Sequence, residues 1–118
     1  MLLYYYLAMD TSLEGLTLHV RDVEWSRQFY ERIPGTELLH HRPGQFALFQ
    51  VGDALLGLLR LKGPGFHLEI ATSDLDGMHR SLLAAGIQPD GPPRQRSWGE
   101  RTLMVADPDG YQLEFEER

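Results

Sequence analysis

The chain has 118 residues, 42% hydrophobic and 24% charged, an ordinary globular composition. That length suits one domain able to bury roughly two thirds of its unfolded surface. Eleven Lys and Arg against seventeen Asp and Glu leave a net charge of −6, the wrong sign for a phosphate-binding surface, and Lys62 is the single lysine, so nothing polybasic could hold an anionic membrane. With no Cys, disulfides, thiol nucleophiles, thiolate zinc sites and iron–sulfur clusters drop out, which leaves His, Asp and Glu as the reactive or metal-binding groups.

Residues 1–9 (MLLYYYLAM) are apolar but lack a basic start and a cleavage site, and they are too short to span a bilayer. They read as part of an N-terminal extension, residues 1–12, that packs on the domain or on a partner subunit; the expected location is cytoplasmic. Residues 16–20 (LTLHV) alternate as a strand does. Asp22 then stands where a helix N-cap belongs, and Trp25, Phe29 and Ile33 recur at helical spacing, predicting a helix that buries those three and stops at Pro34-Gly35. Strands are expected over 36–41, 46–51 and 54–61, separated by Pro43-Gly44 and Gly52-Asp53 turns.

After a Gly63-Pro64-Gly65 connector, residues 67–71 (HLEIA) alternate again and Asp74 supplies a second N-cap. Leu75, Met78 and Leu82 form the apolar stripe of a second helix, and Gly86 sits where a left-handed C-terminal cap would end it. A loop rich in Gly, Pro and Arg leads to a hairpin, 101–106 and 111–116, joined by Asp107-Pro108-Asp109-Gly110.

Asp22 and Asp74, 52 residues apart, mark an internal repeat. Each half reads β-α-β-β-β, and neither can bury a sheet face alone. The expected fold is therefore α+β: two βαβββ modules, about 13–62 and 66–118 within a domain over 13–118, forming a curved mixed sheet around a cavity with the helices outside. The concave face is the expected ligand cavity.

The segments LTLHVRDVEWSRQFYERIPG, FHLEIATSDLDGMHRSLLAAG and VADPDGYQLEF resemble the vicinal oxygen chelate superfamily, which includes glyoxalase I, the bleomycin resistance proteins, fosfomycin-modifying transferases and extradiol dioxygenases. The resemblance spans about residues 13–117 and implies the paired-module fold, often dimeric. It also implies metal ligands on the first and last strand of each module. In the second module these positions are His67 and Glu114, ligands suited to Zn, Ni, Fe, Mn or Mg, with Glu114 also the candidate catalytic group. In the first module the corresponding positions are Gly15 and Gly57, which offer no side-chain ligand. The expectation is an incomplete site whose cofactor is either a divalent metal or none, with Gly15 and Gly57 facing His67 and Glu114 across empty space. A Gly15→His, Gly57→Glu double substitution would then restore four ligands.

His19 shares a strand face with Gly15 but lies about 13 Å further along at roughly 3.3 Å per residue, so it is expected to contact ligand without reaching the same metal. Glu69 and Glu116 share the face of His67 and Glu114, where crowded carboxylates would raise one pKa. Trp98 and Arg101 are candidate ligand contacts, an aromatic plate and a fixed cation; His40 and His41 point to opposite faces and read as edge decoration. The function implied is binding or modification of a small organic molecule in the sheet cavity. The alternative is a divalent-metal-dependent lyase or dioxygenase of the same superfamily. The expected partners are a small molecule and a second copy of the chain, with no nucleic acid and no membrane.

Overall fold

A computed structural model describes residues 10–62 and 65–118, so the apolar segment 1–9 and the first two residues of the predicted connector lie outside the described residues. Eight strands and two helices make a mixed α+β structure, and the chain divides into two compact units. One is Glu14–His67; the other is Leu68–Arg118 together with residues 10–13, and the division falls inside a strand. No helix among the described residues is long and apolar enough to cross a membrane.

The first unit carries β1 (Thr11–Val20), α1 (Val23–Glu31), β2 (Thr36–Arg42), β3 (Phe46–Val51) and β4 (Ala54–Arg60). Its strand order is β2-β3-β4-β1. The two hairpin-connected pairs are antiparallel, whereas β1 and β4, separated in sequence by the rest of the unit, run parallel. β1 begins at Thr11, so the last two residues of the predicted extension are already strand. Val23, Ala47, Phe49 and Leu58 form the core, with Leu18, Val20, Tyr30, Leu38 and Leu56 packed around it. Burying a side chain the size of Phe49 or Leu58 contributes about 1.5–3 kcal/mol relative to leaving it in water.

The helix α1 corrects one expectation. Trp25 is 75% and Phe29 52% exposed, and Ile33 is exposed as well; the inward residues are Val23 and Tyr30. Positions 23 and 30 lie seven apart, hence one above the other, while 25 and 29 project from the opposite side of the helix. Two apolar stripes compete for the sheet, and the bulkier one loses because Val23 fits against the close-packed Ala47, Phe49 and Leu58. The outward aromatics instead line an open groove of about 420 Å³ along α1, with Ser26, Gln28, Tyr30 and Arg32.

The second unit carries β5 (Gly65–Thr72), whose first three residues belong to the other division, then α2 (Leu75–Ala84), β6 (Arg94–Gln95), β7 (Arg101–Ala106) and β8 (Gln112–Glu117). The strand order is β5-β8-β7-β6, and β6 is reduced to two residues. Leu75, Met78 and Leu82 are buried as their spacing predicts, against Leu103, Val105 and Phe115. The helix starts at Asp74, which accepts from the Gly77 N–H at 2.9 Å, and closes with Gly86 N–H to Leu83 O and Ile87 N–H to Leu82 O, both satisfying terminal carbonyls. In the β7–β8 turn Asp107 Oδ1 accepts from the N–H groups of Asp109 and Tyr111, and Gly110 adopts φ 90°, a left-handed conformation that an L side chain would strain.

Glu24 on α1 holds the β2–β3 turn: Oε2 accepts from the Gly44 N–H at 2.8 Å and meets His41 Nε2 at 2.9 Å, while Oε1 accepts from Arg27 Nε. The Gly44 N–H first, then His41, hold this carboxyl down at about 2. A group whose folded pKa is depressed stabilises the fold above its unfolded value and loses that contribution as pH falls through the folded value. Glu24→Gln should therefore melt below the wild type at neutral pH, and the gap should close as pH falls toward about 2. Paired thermal melts across that range check it; a constant gap would show that the charge does not hold the turn.

Candidate metal centre

The pleat of β5 alternates side chains between its faces, so His67 and Glu69 share one face while Leu68 and Ile70 take the other. The same alternation on β8 puts Glu114 and Glu116 on one face, with Leu113 and Phe115 turned to the core beneath α2. Since β8 follows β5 in the strand order, these side chains meet. His67, Glu69 and Glu114 each offer a ligand atom, all within 4.8 Å of one another, and they are the one group of three such residues among the described residues.

His67 is only 9% exposed and Glu116 6%. Burial first, then the hydrogen bond and charge of Glu69, then the hydrogen bond to Glu114 and the charge of Glu100, push the Glu116 carboxyl up to about 11. Arg118 Nη2 donates to Glu116 Oε2 at 2.6 Å, which favours the charged form, but its side chain is nearly half exposed and solvent screens it. Burial and crowding outweigh that partner, so the shift is upward. The expected rise of a carboxyl pKa on this face falls within the coupled group of Glu116, Glu69 and Glu114.

His19 corrects a second expectation. Its Nε2 lies 2.9 Å from His67 Nδ1, with ring centroids 5.1 Å apart, so it is joined to the group rather than remote from it. Burial, then the neighbouring His67, lowers its pKa. Counting residues along β1 measures distance on that strand alone; the partner a residue meets on another strand is set by register.

The two glycines correct a third expectation, because the space over them is filled. In the parallel β1–β4 pairing Gly15 is opposite Leu55 and Gly57 opposite Thr17. A Cβ at Gly15 would fall on the Leu55 carbonyl oxygen, and one at Gly57 would come within 2.6 Å of Thr17 Oγ1, a buried side chain. A side chain at 15 therefore has no room and one at 57 needs Thr17 to move, so the double substitution would distort the β1–β4 pair before it built a site.

The structure does not bring Trp98 or Arg101 to the group. Trp98 is 56% exposed with the Arg96 guanidinium 5.9 Å from its ring centroid. Arg101 donates to Glu117 Oε2 at 3.0 Å and Asp76 Oδ1 at 2.9 Å. Glu117 is adjacent to Glu116 on β8 and so points to the opposite, helix-bearing face, where it also accepts from the Leu75 N–H.

Residues 12–115 match the Glyoxalase/Bleomycin resistance protein/Dioxygenase superfamily, and the chain belongs to that family. No curated protein matches it. Among solved structures it is similar to methylmalonyl-CoA epimerase from Mycobacterium tuberculosis (24% identity, TM-score 0.75, 89% of this chain and 86% of that one). It is also similar to an NAD-dependent benzaldehyde dehydrogenase from Legionella pneumophila (24%, 0.73, 86% and 95%). A third is a superfamily member from Vibrio splendidus 12B01 (19%, 0.68, 93% and 99%). At these identities what is shared is the fold, and the mixed α+β arrangement agrees with it.

Gly15→Ala should lower stability by about 2 kcal/mol or more, because the added methyl meets backbone that can move only with the strand pair. Gly57→Ala should cost less, since Thr17 can change rotamer. Denaturant midpoints of the two variants check the order, and equal, negligible losses would mean that β1 and β4 do not approach as described.

Proposed function

We propose that the chain binds a divalent cation through His67, Glu69 and Glu114 and with it binds or modifies a small organic molecule bearing oxygen donors. The observation that carries this reading is the 4.8 Å clustering of one imidazole and two carboxylates, a donor set suited to Zn, Ni, Fe, Mn or Mg. Three protein ligands leave coordination positions for substrate. A bound cation would polarise a substrate oxygen and stabilise negative charge developing there. Glu114 is in this reading both a ligand and the catalytic carboxylate that takes a substrate proton, making a lyase or dioxygenase chemistry accessible. Glu116, buried beside these carboxylates, has its pKa raised by burial and by their crowding.

A second reading is a metal-free member that binds a cationic small molecule at the same acidic face. The gathering of Glu69, Glu114 and Glu116 on one face favours it, because close carboxylates attract an organic cation as well as a metal. Arg101 has no part in either reading.

Calorimetric titration of untagged, metal-stripped protein with Zn, Ni or Mn distinguishes the two. One ion per chain is expected, with His67→Ala and Glu114→Gln weakening binding by at least about tenfold. No binding by the wild type would remove the metal from the proposal and leave the second reading.

A homodimer is part of the proposal, supported by β2 and β6, which each have a single strand neighbour and so present open edges. Sedimentation should give twice the 13.5 kDa chain mass, and a lone 13.5 kDa species would refute it.

A further inference from the structure

His19 belongs to no ligand set, yet it makes the 2.9 Å contact with His67 Nδ1. Resting on the metal-binding reading above, we infer that His19 is a positioning residue for the cation site. It accepts a hydrogen bond from His67 Nδ1–H and thereby directs the His67 Nε2 lone pair to the cation.

Two imidazole nitrogens 2.9 Å apart must divide the roles of donor and acceptor. If His19 Nε2–H donates, His67 carries its own hydrogen on Nε2 and has no lone pair left for a metal. If His67 Nδ1–H donates, Nε2 is a competent ligand. A cation beside Glu69 and Glu114 selects the second arrangement, and His19 must then be able to accept. An imidazole can do so by carrying its hydrogen on Nδ1. That atom faces Gly65, where a Cβ would already stand 3.2 Å away, so a larger residue there would press on the ring. The tilt of 46° between the rings keeps the contact edge-on at nitrogen rather than stacked. Outer partners of this kind fix the tautomer and orientation of a ligating histidine, and losing one typically weakens metal binding about 10–100-fold.

Two substitutions separate this role from simple packing. His19→Phe keeps a ring and removes the acceptor; His19→Gln loses the ring and places an amide oxygen near the position of Nε2. Zinc titration by calorimetry should show wild-type affinity within about threefold for Gln and a loss of about 10–100-fold for Phe, at similar melting temperatures. A packing role predicts the reverse order. Nitrogen-15 spectra of the zinc-loaded wild type should show His67 with hydrogen on Nδ1 and zinc on Nε2, and His19 with Nε2 unprotonated. Equal zinc affinity of the Phe variant and the wild type, or zinc on His67 Nδ1, would overturn the inference while leaving the metal site intact. Absence of zinc binding in the wild type would overturn the metal reading and this inference with it.

Discussion

The two-residue alternation of the strands is the constraint on which the rest of this protein depends. On β5 it sends Ile70 toward the core under α2 and His67 and Glu69 the other way; on β8 it does the same with Phe115 against Glu114 and Glu116. A strand cannot bury one set without presenting the other. The apolar core of the second unit and the polar group on the opposite face are therefore consequences of a single register, and a one-residue slip would exchange them.

The polar face would be costly without some means of neutralising it. Three carboxylates and an imidazole stand close together, and burial with this crowding pushes a carboxyl pKa upward. Fully ionised, they would repel one another in surroundings only partly screened by water. A proton on one of them would relieve that repulsion, and a divalent cation would do so more completely. The two functional readings differ in which positive charge does it.

The first unit differs from its counterpart at the corresponding positions. Its glycines at 15 and 57 are not places from which ligands have simply been lost: the Leu55 backbone and the Thr17 side chain fill the space. What that unit does hold is His19, 2.9 Å from His67, the last residue of the same unit. The outward Trp25 and Phe29 belong to a groove on α1 that has no residue in common with the His67 group.

Much of this was written in local pattern. Strand alternation, the Asp22 and Asp74 caps, the Leu75, Met78 and Leu82 stripe and the Asp107 to Gly110 turn all depend on neighbours within a few residues, so the sequence by itself determined them. It also determined that His67, Glu69, Glu114 and Glu116 would share faces, because parity along a strand is local. Tertiary structure decided three other things. It chose Val23 and Tyr30 over Trp25 and Phe29 as the inward face of α1, since two stripes on one helix are told apart only by the surface they meet. It placed His19 against His67, and it closed the space at Gly15 and Gly57. Register and close approach between strands arise from the packing of segments distant in the chain, and spacing along one strand carries no measure of them.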